Sequence, residues 1–136
     1  HKFEAGTPNI AGVIAFKKAI DFIKEVGVEN MKEHEDLLLN YATLKLEEIP
    51  NLSIIGTAAK KSGIISFIVS GVHHYDLGLI LDKLGVAIRT GHHCTQPVMK
   101  KMNISGTSRI SFACYNTKTE LDYTVDCIKK AIKMLS

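Results

Sequence analysis

Chemistry concentrates in one hexapeptide of this 136-residue chain, Arg89-Thr90-Gly91-His92-His93-Cys94. A free thiol ionises near pH 8.5, so only a small share is thiolate, the nucleophilic form, around neutrality. Neighbouring cations favour the thiolate, and each unit by which they lower its pKa is worth about 1.4 kcal/mol. Arg89, His92 and His93 are the available cations, and Gly91 permits a tight backbone path into the loop. Cys94 is therefore a candidate nucleophile. The other two cysteines read differently, Cys127 within an amphipathic segment and Cys114 within a strand-like one, both as small core residues. A zinc reading would draw on His92, His93 and Cys94, with His73 and His74. Adjacent residues rarely ligate one tetrahedral ion, and neither Cys-x-x-Cys nor His-x-x-x-His spacing occurs, so no metal site is assigned.

Two further residues could recruit anions. Thr7, followed by Pro8, suits the N-cap of a first helix, where a hydroxyl joins free backbone N–H groups at the positive end of the helix dipole. From the residues alone an ordinary N-cap is the favoured explanation. Arg109 lies in Thr107-Ser108-Arg109-Ile110-Ser111, a strand that should be half buried. A guanidinium there needs a carboxylate, either from the protein as a structural ion pair or from a ligand.

The elements that must position these residues follow from periodicity and punctuation. Val13, Phe16, Ile20 and Ile23 recur at helical spacing until Gly27. A second helix is expected over 29–48, with Leu37, Tyr41 and Leu44 as its stripe and Pro50 beyond its end. Strands are expected at 52–55, 63–69, 86–89 and 108–114, and helices at 75–84 and 96–102. Thr117-Lys118-Thr119-Glu120 forms a capping box. The helix it opens carries Leu121, Val125, Ile128, Ile132 and Leu135 on one stripe. The fold class is α/β: a small, largely antiparallel sheet of about four strands covered by helices.

Composition bounds the function. One domain, or two small lobes, fits this length. A hydrophobic fraction of 46%, a charged fraction of 23% and a mean hydropathy of +0.08 describe an ordinary globular chain. The net charge of +3 comes from scattered lysines rather than a continuous basic stripe, which argues against nucleic acid as a partner. No apolar run reaches a membrane span, and no signal peptide is visible. Three cysteines outside any disulfide-framework spacing suggest a reducing, cytoplasmic compartment. The chain opens His1-Lys2-Phe3-Glu4 without an initiator Met, which reads as a piece of a longer protein.

Arg-Thr-Gly-His-His-Cys at 89–94 resembles the active-cysteine motif of group II, Suf-type cysteine desulfurases and selenocysteine lyases, within the class V aminotransferase family of pyridoxal phosphate enzymes. Phe3-Glu4-Ala5-Gly6-Thr7-Pro8-Asn9 is similar to that family's FEAGTPN segment. Arg109 through Tyr115-Asn116-Thr117 is similar to its last strand and the turn before the final helix. The three motifs occur in the family's order, and the resemblance runs essentially end to end.

The resemblance implies that residues 1–26 close a large cofactor domain and that 27–136 form the small C-terminal domain. It implies that Cys94 takes sulfur from L-cysteine as a persulfide, releasing alanine, with L-selenocysteine as an alternative substrate, and that Arg109 docks the substrate carboxylate. Thr7 would bind the cofactor phosphate of the other subunit of a homodimer, and Arg89 and His92 would line the site. His93 receives no role beyond proximity. A sulfur-acceptor protein and iron–sulfur cluster assembly would follow. No segment resembles the family's cofactor-binding lysine motif, so the chain alone is expected to bind pyridoxal phosphate poorly and to be inactive. The alternatives are a stand-alone persulfide carrier or regulatory α/β module using Cys94, and a relative such as an isopenicillin-epimerase-like or kynureninase-like enzyme, which would not need that thiol.

Overall fold

The structure, a computed structural model, describes residues 2–136 and divides into two compact units, 1–33 and 34–136. In the first, α1 (Ile10–Val26) begins at Asn9, whose side-chain oxygen accepts from the Gly12 N–H at 2.9 Å. Asn9, not Thr7, is thus the N-cap. Asparagine's short carbonyl reaches its own first turn as well as a hydroxyl does, and Thr7 lies two positions upstream of it. No residue of α1 is buried.

The second unit is organised by α5 (Lys118–Leu135). Thr117 and Glu120 form the expected capping box, with the Thr117 N–H donating to Glu120 Oε2 at 2.7 Å and the Glu120 N–H donating to Thr117 Oγ1 at 3.3 Å. Leu121, Val125, Ile128 and Ala131 then enter the core, with Ile132 and Leu135 at its margin. Cys127 is buried among them. The strands β1 (Leu52–Ile55), β2 (Ile64–Val69), β3 (Arg89–Gly91) and β4 (Thr107–Ser111) make one antiparallel sheet in the order β1-β2-β4-β3. Alternation along the strands puts Ile65, Phe67 and Val69 of β2, with Ser108 and Ile110 of β4, among the buried residues. The opposite face carries Ser66 and Arg109.

α2 (Val28–Glu47) contributes Leu38, Leu39, Ala42 and Leu46 to the core, whereas Leu37 and Leu44 are exposed. The expected stripe is therefore one position out of phase. α3 (His74–Lys83) ends in a Schellman motif: the Val86 N–H reaches the Leu81 carbonyl at 2.9 Å, the Gly85 N–H reaches the Asp82 carbonyl at 2.9 Å, and Gly85 has φ +77°. That use of the Val86 backbone moves the expected 86–89 strand to 89–91. α4 (Gln96–Met102) follows the Cys94 loop. β4 stops at Ser111, so Cys114 sits half-buried in the turn before α5 rather than in a strand.

Candidate active site

β3 is three residues long, and its register decides the site. Arg89 lies directly opposite Arg109, Thr90 opposite Ser108 and Gly91 opposite Thr107. Residues opposite one another in an antiparallel pair project to the same face, and like charges there are destabilising. Neither arginine has an ion-pair partner among the described residues. Arg109 Nε is moreover buried and without a hydrogen-bond partner. The structural ion pair that the sequence left open is absent among the described residues. A buried guanidinium nitrogen with nothing to donate to, beside a second guanidinium, is suited to an incoming anion.

Immediately beyond Gly91 the chain turns. The Thr95 N–H donates to the His92 carbonyl at 2.9 Å, and Thr95 Oγ1 donates to the same oxygen at 2.6 Å. The two central residues, His93 (φ +52°) and Cys94 (φ +61°), are both left-handed. This is the positive-φ pattern of a type I′ turn, which normally selects asparagine and glycine. Each such residue without a glycine costs on the order of 1–2 kcal/mol. Cys94 is thereby exposed at the tip of a strained turn.

His93 reaches back to the sheet. Its Nε2 lies 2.9 Å from Thr107 Oγ1 and 3.2 Å from the Thr107 carbonyl. Burial first, then the charges of Arg109, Arg89 and His92, hold the imidazole below the usual histidine range, while its bond to the Thr107 backbone acts the other way. His74, at the start of α3, is lowered chiefly by burial and then by the proximity of His73, with smaller contributions from His92 and His93. Arg89, Thr90, His92, His93, Cys94, Gln96 and Pro97 line a hollow of about 510 Å³.

The structure thus brings together Cys94, Arg89, His92 and, through β4, Arg109. Thr7 belongs to the other compact unit and is exposed. Sequence reasoning missed Thr107, and it gave His93 no role. The signal that could have found Thr107 is its place opposite Gly91, which only the strand register supplies. The hollow is lined by neither a lysine nor a carboxylate. These residues therefore do not fit pyridoxal phosphate as a whole; they fit an anionic substrate end and a nucleophilic sulfur. Among the described residues no group of three His, Cys, Asp or Glu side chains could hold a metal ion, and no helix is long and apolar enough to cross a membrane.

The family model for aminotransferase class-V matches residues 1–124. The chain belongs to the class V aminotransferases. This class V chain is 42% identical over 134 residues to the cysteine desulfurase of Wigglesworthia glossinidia brevipalpis, a match covering 98% of the chain and 32% of that protein. Its structure is similar to the apo cysteine desulfurase of Thermococcus onnurineus NA1, with a TM-score of 0.90 and 37% identity over 97% of this chain and 33% of that one. It is also similar to the cysteine desulfurase CsdA of Escherichia coli in an S-sulfonic acid form, with a TM-score of 0.91 and 33% identity over 99% of this chain and 33% of that one. The class V chain therefore spans about a third of the length of these relatives.

Proposed function

We propose that this chain is the C-terminal part of a group II cysteine desulfurase. Such an enzyme uses pyridoxal phosphate, an electron sink, to free the sulfur of L-cysteine. The observation that carries the reading is the exposed Cys94 at the tip of its turn, next to a strand pair whose two arginines face one another without a counter-charge. Family membership and the desulfurase names of its relatives point the same way. Overall, L-cysteine gives its sulfur to Cys94 and leaves as alanine. An S–S bond forms as the substrate C–S bond breaks, and the electron pair left on carbon takes a proton. The product on the protein is a persulfide.

Cys94 supplies the nucleophile and Arg109 the carboxylate dock, while Arg89 and His92 line the approach. Thr7, on the FEAGTPN-like segment, is assigned the cofactor phosphate of the partner subunit in a homodimer. That assignment rests on the motif, since Asn9 takes the helix cap. The reading extends to selenocysteine as an alternative substrate, to an acceptor protein that takes the persulfide towards iron–sulfur clusters, and to a cytoplasmic setting. The lysine and the ring-gripping residues belong to the part of the enzyme outside this chain.

The test is Cys94→Ala in the full-length protein. Loss of alanine formation from cysteine, with some selenocysteine cleavage retained, is the expected result; unchanged cysteine turnover would reject the reading. The 136-residue chain alone is expected to form no alanine from cysteine and to lose the cofactor's visible absorbance on dialysis.

A further inference from the structure

Left-handed backbone at two adjacent residues that are neither glycine nor asparagine persists only where the surroundings over-determine it. The two bonds from Thr95 to the His92 carbonyl close the turn on itself but do not attach it to the sheet. The attachment is the His93 side chain, bonded to Thr107 fourteen residues away in sequence. Thr107 is only 1% exposed and is paired with Gly91 in the ladder, so it is a fixed anchor. We propose that His93 is the positioning residue for Cys94, tying the His92–Thr95 turn to β4 and so fixing where the thiol is presented.

The protonation state follows from the partners. The Thr107 hydroxyl can donate or accept and its carbonyl can only accept, so the tautomer with the proton on Nε2 is the one that suits both contacts. Nδ1 is then a bare lone pair, buried and without a hydrogen-bond partner. Protonating it would create a charged donor that nothing accepts. The groups facing that charge are Arg109 on β4, Arg89 on β3, His92 on the turn itself and His74 on α3. Burial and the facing guanidinium groups therefore favour the neutral ring in this position and outweigh the Thr107 backbone bond, which by itself favours the proton. A free histidine titrates near 6.5, and the tied one titrates lower. The tie is at full strength above about pH 6.5 and weakens as pH falls from there through the lowered value.

The inference deepens the desulfurase reading and rests on it only in taking Cys94 as the working thiol. Its test needs neither cofactor nor turnover, so the two can fail separately. The readout is amide hydrogen exchange at Thr95, expressed as a protection factor across roughly pH 5 to 8. It is measured in the 136-residue chain and in His93→Ala, His93→Gln and Thr107→Val, with thermal unfolding alongside. His93→Ala should lower Thr95 protection about tenfold at neutral pH while β2 amides stay unchanged. His93→Gln, whose amide nitrogen reaches towards the same partners and does not titrate, should keep most of the protection and lose its pH dependence. Thr107→Val should lose a few-fold. Protection within about twofold of the parent in a folded His93→Ala, or a pH profile unchanged in His93→Gln, would overturn the proposal. Should His93→Ala not fold, the pH profile of His93→Gln decides alone.

Discussion

Arg89 and Arg109 meet across β3 and β4 at a cost, and that cost distinguishes what they are for. Breaking a buried ion pair by removing one partner typically destabilises by about 3–5 kcal/mol. Removing one of two facing like charges does the opposite, by about 0.2–1 kcal/mol. Arg109→Gln should therefore leave the melting temperature of the chain unchanged or slightly raised, measured by circular dichroism, while abolishing cysteine turnover in the full-length protein. At this scale the sequence carried much of the candidate site. Cys94 stood out because cations and a glycine precede it, and Arg109 because a charge interrupts a strand. The turn at His93 and Cys94 was not legible. Neither residue type announces a positive φ, and the nearest glycine, Gly91, lies ahead of the turn. His93 stayed without a role for the same reason, since its partner Thr107 becomes a neighbour only through the strand register.

Elements differ in how firmly their residues specify them. α5 was readable because its capping box fixes where it starts and its apolar residues allow one phase only. Thr117→Ala should accordingly destabilise the chain by about 1 kcal/mol in urea unfolding. The bonds from the Thr117 backbone and hydroxyl hold the Glu120 carboxyl below its ordinary range. A depressed carboxylate adds stability above its unfolded value and loses it as pH falls through the folded one. The difference between parent and Glu120→Gln should thus shrink on acidification below about pH 4.5. Ile128, wholly buried in the same helix, should cost about 2–5 kcal/mol when cut to alanine. α2 was harder because Leu37-Leu38-Leu39 offers consecutive leucines, so periodicity alone cannot choose the phase. The core chose Leu38 and Leu39, which lie with Ala42 and Leu46. β3 was misplaced by a run of apolar residues, Val86-Ala87-Ile88, that resembles a strand while its first amide closes the end of α3.

At the scale of the molecule, α1 displays Val13, Ile14, Phe16 and Phe22 to solvent, each more than half exposed. Large apolar side chains exposed in this number on one helix promote association. The chain should sediment with a mass that rises with concentration, and Val13→Glu with Phe16→Glu should suppress the rise. The thiols behave in the contrary manner, because burial rations them: Cys127 is sealed in the core, Cys114 is half covered, and Cys94 alone is exposed. Each molecule thus offers oxidants one fully exposed thiol and a second that is half screened. Cross-linking in air should run first to covalent pairs through Cys94, and a single equivalent of a maleimide dye should label the folded chain there ahead of Cys114.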